Sequence, residues 1–211
     1  MIFYTIIAIV IGYLLGSIPF AYIAGRLKKV VDIRQVGGGN MGVLNTIRQI
    51  GPAVGFPVLV ADIAKGAVAV LIARWLDISL IWIFVAGFAA IVGHNWPVFL
   101  KFRGGKGAAA TLGVLAALFP IELVISFGII IVVVIITSNV RLAIFIGLAF
   151  LPIIVWRLNG SGISIAYSLA LPIFLGLRAL TDFQRDMNVN EKRKGLIFDK
   201  EYHFWQTRKG K

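Results

Sequence analysis

Thirty residues, Ala108 to Thr137, run almost continuously apolar, and no water-soluble fold readily accommodates such a stretch. As a single helix it would reach about 45 Å, against a bilayer hydrocarbon core of about 30 Å. Phe119-Pro120 divides the run, and proline favours a helix break there. The stretch therefore reads as two short spans, with a re-entrant hairpin around Pro120 as the alternative. Other apolar runs flank it: Ile2 to about Gly25, about Pro52 to Arg74, Ile78 to about Gly93, about Leu142 to Trp156, and Ile163 to Leu177. Composition agrees, with 59% apolar residues and 14% charged and a mean hydropathy of +0.93. A soluble domain of this length could not bury that much apolar side chain. The expected fold class is an all-α integral membrane protein of about seven transmembrane helices. Residues 1–177 form the membrane domain and 178–211 a charged cytoplasmic tail. The N-terminal run lacks a basic leader and is too long for a cleaved signal peptide, so it reads as the first span.

Charge sets the orientation. With seven spans and the N-terminus outside, segments 26–51 and 94–107, Arg141 and the tail share one face, carrying 18 of the 21 Lys and Arg residues. The positive-inside rule makes that face cytoplasmic. The net charge of +12 then reads as a basic rim for anionic membrane lipids and anionic substrates, not for nucleic acid. The chain has no cysteine, which excludes disulfides, thiolate metal sites and thiol nucleophiles. Two distant histidines and few carboxylates offer no metal-ligand set, and no cofactor is implied.

Both polar loops are glycine-rich. The first holds Gly37-Gly38-Gly39-Asn40, then Asn45 and Arg48. Consecutive glycines allow backbone N–H groups to converge on a phosphate oxygen, and Arg48 adds a charge-assisted donor; a plain inter-span loop with a snorkelling arginine is the competing reading. The second runs from His94-Asn95-Trp96-Pro97 to Lys101-Phe102-Arg103-Gly104-Gly105-Lys106-Gly107. A helix beginning at Gly107 would aim its N-terminus at the same anion as Lys106; a lipid-facing basic loop is the alternative. Gly107 stands where a Walker A motif needs Ser or Thr, so this is not a P-loop. His94 is either a general base or a hydrogen-bonded loop support. Asp62 and Lys65 lie about one helical turn apart inside a span, as a functional pair or an ion pair tying helices together. Asn139 and Arg141, in a later cytoplasmic turn, are candidates for the same pocket. Intramembrane charge is otherwise confined to Glu122, which disfavours a small anion transporter.

The ordered set Gly16-Ser17-Ile18-Pro19-Phe20, Asp32-Ile33-Arg34, Gly39-Asn40, Asn45 with Arg48, Asp62 with Lys65-Gly66, Gly93-His94 and Phe102-Arg103-Gly104-Gly105-Lys106-Gly107 resembles the bacterial acyl-phosphate:glycerol-3-phosphate acyltransferases. The resemblance implies an inner-membrane enzyme with its site facing the cytoplasm. Such an enzyme transfers a fatty acyl group from acyl phosphate to the 1-hydroxyl of glycerol 3-phosphate, making lysophosphatidic acid for phospholipid synthesis. It implies catalytic places for Lys106, Arg48 and His94. Substrate contacts would come from Gly37, Gly38, Gly39, Asn40, Asn45, Lys101, Gly104, Gly105, Gly107, Asn139, Arg141 and Asp182. The chain departs from the family pattern at Gly38, where Ser is usual, and at Val43-Leu44, Ala110, Arg141, Ala179 and Asp182. Those departures admit a divergent paralogue that uses another acceptor or only binds an anionic lipid or phosphometabolite.

Overall fold

A computed structural model describes residues 2–28, 32–158 and 160–186, except for the side chains of residues 141 and 179–186. Among the described residues the architecture is all-helical: α1 (Ile2–Ser17), α2 (Phe20–Leu27), α3 (Val43–Gln49), α4 (Pro52–Trp75), α5 (Leu80–Asn95), α6 (Ala108–Leu118), α7 (Pro120–Thr137), α8 (Val140–Leu158) and α9 (Gly162–Asp186). Four stretches are long and apolar enough to cross a membrane: Ile2–Leu27, Pro52–Trp75, Leu80–Leu100 and Pro120–Thr137. Three shorter apolar helices, Ala108–Leu118, Leu142–Leu158 and Gly162–Arg178, complete the series. The expected break at Phe119-Pro120 is present, and it leaves α6 with 11 residues, about 16 Å of helix.

Two boundaries differ from the sequence reading. The first apolar run is two helices, because Ile18 and Pro19 leave helical geometry between α1 and α2. Proline has no N–H for the ladder, so the chain turns there. At the other end α9 continues past Leu177 to Asp186, so the tail begins as a continuation of the last helix. Residues 187–211, with the interface-anchoring aromatics expected at Tyr202, Phe204 and Trp205, lie outside the described residues.

The chain divides into two compact units, Met1–Pro120 and Ile121–Lys211. In the first, the pattern of burial is that of a protein whose solvent is lipid. Helix α1 buries Thr5, Ala8, Gly12, Gly16 and Ser17 and exposes Ile6, Val10 and Leu14. A Cβ on Gly12 or Gly16 would run into the backbone carbonyl of Ala86 or Ala90 on α5. Helices α4 and α6 meet in the same way at Gly66 and Gly113. With no hydrophobic gain to be had from moving side chains out of lipid, close backbone approach supplies the dispersion contacts that hold helices together. In the second unit α8 packs against α9, with Phe145 filling the space over Gly176.

Candidate active site

The first polar loop is an organised structure, not a slack connection. Asp32 accepts the N–H of Arg34 at 3.0 Å and caps a short 3-10 turn, Ile33–Gln35. The Arg34 guanidinium forks onto the same carboxylate, with Nε at 2.9 Å from Oδ1. That hydrogen bond holds the Asp32 carboxyl below the usual carboxylate range. Arg34 Nη1 also reaches across to the carbonyl of Leu100 at 3.3 Å, tying the first loop to the second. Arg34 and Arg26 both lie over the Tyr22 ring, at 5.3 and 5.2 Å from its centroid. Beneath them Ala21, Ile33, Met41, Val58 and Leu100 form a small apolar core. The glycine turn that follows has positive φ at Gly37 (57°) and Gly39 (64°), which glycine adopts without the clash a Cβ would bring.

Asn45 holds this turn together. Its Nδ2 donates to the carbonyls of Ile33, Val36 and Asn40 at 3.0, 3.2 and 2.8 Å. Its Oδ1 accepts the Gly38 N–H at 2.9 Å. A buried carboxamide thus takes up backbone groups that no sheet or helix serves. Arg48, one turn further on, is half-buried in the last turn of α3.

The second loop is fixed by the end of α5. Gly104 and Gly105 donate their N–H groups to the carbonyls of Asn95 and His94, both at 3.1 Å. A Cβ on Gly104 would meet those carbonyls and Pro97; one on Gly105 would meet the His94 ring. Lys101 and Phe102 both occupy the left-handed region, at φ 53° and 58°. Phe102 N–H bonds to the Pro97 carbonyl at 3.0 Å, which closes the turn. Gly107, at φ 83°, caps α6, so that helix begins where the sequence places it, immediately after a half-buried Lys106.

These bonds correct one expectation. The N–H groups of Gly104 and Gly105, and those of Gly38 and Gly39 (the latter to the Val36 carbonyl at 3.1 Å), already have acceptors within the protein. They shape their loops and are not open phosphate donors here. The start of α6 and the half-buried cations Lys106 and Arg48 are the candidates for an anion site that this unit keeps.

The buried end of the site is charged. Lys65 Nζ lies 2.8 Å from Asp62 Oδ1, with both side chains almost wholly buried. It also donates to the Ile18 carbonyl at 2.9 Å, in the break between α1 and α2, and sits 5.6 Å above the Phe20 ring. His94 Nδ1 faces the same Asp62 oxygen at 3.6 Å. His94 is 6% exposed, and its ring lies between Asp62 and Gly105. That environment suits a loop support better than a proton-transfer group. Of the remaining expected residues, Gly37 and Asn40 lie in the first turn and Lys101 is exposed on the second loop. Asn139 belongs to the second unit, where its Oδ1 caps α8 by accepting the Leu142 N–H at 3.1 Å. The side chains of Arg141 and Asp182 lie outside the described residues. Among the described residues no group of His, Asp and Glu side chains is arranged to hold a metal ion.

Sequence reasoning gave no role to the Asp32–Arg34 fork, although an acid two residues before an arginine is the local signal for it. It also passed over Asn95, whose fully buried carboxamide lies against Gly107 at the start of α6.

The family profile described as glycerol-3-phosphate acyltransferase matches residues 6–188, which include both loops and the buried charges. The chain belongs to the glycerol-3-phosphate acyltransferase family. A relative named glycerol-3-phosphate acyltransferase 1, from Dehalococcoides mccartyi, is 40% identical over 198 residues, covering 91% of this chain and 95% of that one. A glycerol-3-phosphate acyltransferase of Thermosipho melanesiensis is 38% identical, covering 91% and 94%. Two crystal structures of PlsY, an integral membrane glycerol 3-phosphate acyltransferase, have the same fold. Its glycerol 3-phosphate form superimposes with a TM-score of 0.79 at 29% identity, covering 87% of this chain and 92% of that one. Its lysophosphatidic acid form gives 0.77 at 28% identity. In this acyltransferase the departures at Gly38 and Ala110 fall within the first unit, on positions whose backbone is well accommodated. Gly38 has an ordinary backbone angle between two left-handed glycines, and Ala110 packs on Gly66.

Proposed function

We propose that this chain transfers a fatty acyl group from an acyl phosphate to the 1-hydroxyl of glycerol 3-phosphate, giving lysophosphatidic acid and inorganic phosphate. The site faces the cytoplasm of a bacterial inner membrane, in a seven-span frame with the N-terminus outside. The observation that carries the reading is Lys106 at the N-terminus of α6, on a loop docked against the end of α5, in a chain of this family. Two anionic substrates need cations and a helix N-terminus at one rim, and the cation excess on segments 26–51, 94–107 and 178–211 provides that rim.

The reaction forms a bond between the glycerol oxygen and the acyl carbon and breaks the bond from that carbon to the phosphate oxygen. The hydroxyl proton leaves on the departing phosphate. An acyl phosphate is an activated mixed anhydride, so no covalent nucleophile is needed, and a chain without cysteine is suited to it. Positioning and charge stabilisation do the work. Lys106 and Arg48 hold glycerol 3-phosphate, and Gly37 to Asn40 shape the wall beside them. Transport is a poorer fit. Apart from Glu122, and Arg74 in the last turn of its helix, the described charges in helices 52–75 and 120–137 are spent on each other, as Asp62 with Lys65.

The donor is tested with the purified protein in detergent, glycerol 3-phosphate, and either acyl phosphate or acyl-coenzyme A. Lysophosphatidic acid formed from acyl phosphate alone is the expected result. Phosphate binding without product from either donor would mean a repurposed paralogue.

A further inference from the structure

We propose that Asp62, Lys65 and His94 form a positioning network that sets the Lys106 loop against the break between α1 and α2. The inference rests on the acyltransferase reading and adds roles for two residues that reading leaves unused. Two of the three members have a partner outside the cluster. Lys65 donates to the Ile18 carbonyl at 2.9 Å, in the non-helical break at Ile18-Pro19, where that oxygen otherwise takes only the Phe20 N–H at 3.2 Å. His94 presses its ring against Gly105 and accepts the Gly105 N–H on its main-chain carbonyl. Asp62 stands between the two, 2.8 Å from Lys65 and facing His94 Nδ1 at 3.6 Å, an electrostatic contact longer than a hydrogen bond. The result is a contiguous path from Ile18 through Lys65, Asp62 and His94 to Gly105, the neighbour of Lys106. Apolar residues of the same volume would hold α4 and α5 together at least as well as a buried ion pair does. Tying two irregular backbone segments, α1–α2 and 104–107, to fixed points is work that apolar contacts, being non-directional, cannot do.

A network that positions Lys106 is separable from one that only stabilises the fold. Loss of folded protein lowers the apparent kcat and leaves KM unchanged. A misplaced Lys106 raises KM for glycerol 3-phosphate in molecules that are folded. The test compares two charge-free variants, Asp62→Asn/Lys65→Met and Asp62→Asn/Lys65→Gln, with thermal midpoints measured beside the kinetics. The methionine variant loses the side-chain donor to Ile18, keeping only the Phe20 N–H, and is expected to raise KM for glycerol 3-phosphate about tenfold, the effect of one misaligned charged hydrogen bond. Its kcat per folded molecule stays within about twofold. The glutamine variant keeps a donor for Ile18 and is expected to return KM to within about threefold of the parent. Equal KM in both variants and the parent, with kcat tracking the folded fraction, would overturn the proposal. Should the methionine variant fail to fold, His94→Leu carries the same split, since it cuts the path at its other end and leaves the ion pair in place. A raised KM is then expected, and an unchanged KM overturns the network. Failure of the acyltransferase reading is separate, because the parent protein would then make no lysophosphatidic acid at all.

Discussion

The two glycine-rich loops solve one problem in opposite ways. In the first, glycines adopt left-handed backbone angles, and a side chain from a neighbouring helix, Asn45, supplies the hydrogen bonds. In the second, Gly104 and Gly105 are there because nothing larger fits between the loop and the end of α5, and main-chain carbonyls supply the bonds. The glycine turn of the first loop is gathered mainly by one side chain and is exposed along Gly37 to Gly39; the second is held by an entire helix terminus. A loop fixed by a helix end inherits that helix's rigidity, which suits the loop bearing Lys106. One gathered mainly by a single carboxamide is easier to reshape.

The contrast fails if the second loop tolerates a methyl group. Gly105→Ala places that methyl in the His94 ring, and displacing Lys106 by about 1 Å is expected to lower kcat/KM roughly a hundredfold, read by lysophosphatidic acid formation. Next in size is Asn45→Leu, which strips partners from the Gly38 N–H and three carbonyls. It is expected to destabilise by about 2–4 kcal/mol, seen as a lower thermal midpoint in detergent. A sharper comparison lies within the first loop. Gly37→Ala forces a side chain into the left-handed region and against Asn45 and Gln49, at a cost of about 1–2 kcal/mol. Gly38→Ser, one residue on, stays within about 0.5 kcal/mol, and activity stays within about threefold. Similar losses at both positions would mean that the positive φ is not what the first loop requires.

The smallest expected effect is on acid stability. Arg34 holds the Asp32 carboxyl below its ordinary value, so the pair stabilises the fold above the unfolded carboxyl's pKa of about 3.9. That contribution is lost as pH falls through the depressed folded value. Asp32→Asn is expected to flatten the acid limb of the stability profile and to leave its shape near neutral pH unchanged.

Much of this was legible in the sequence, and the rest had physical reasons to be hidden. Apolar run length and Pro120 gave the helical segments and the division of residues 108–137. Gly107 as the start of α6 followed from a glycine just before an alanine-rich run, and Asn45 from its place beside a glycine cluster. Pro19 was visible, but one proline in a long apolar run does not say whether a span bends or ends; the Lys65 donor that reaches the break at Ile18 comes from another helix, out of sight of local sequence. The roles of Gly104 and Gly105 were misread for a related reason. A glycine-rich string beside cations looks the same whether its N–H groups meet a ligand or the end of the preceding helix, and only tertiary placement separates the two. The Asp62–Lys65 spacing suggested a pair, while the third member, His94, comes from another helix.

The most direct test is the turnover of acyl phosphate and glycerol 3-phosphate by the purified protein and by Lys106→Ala, with both variants matched for membrane insertion and thermal midpoint. The account predicts lysophosphatidic acid from the parent and a fall of roughly a hundredfold in kcat/KM for glycerol 3-phosphate in the variant, the consequence of removing a charged hydrogen bond to the substrate's phosphate. Equal turnover by the two proteins would contradict it and remove Lys106 from the site.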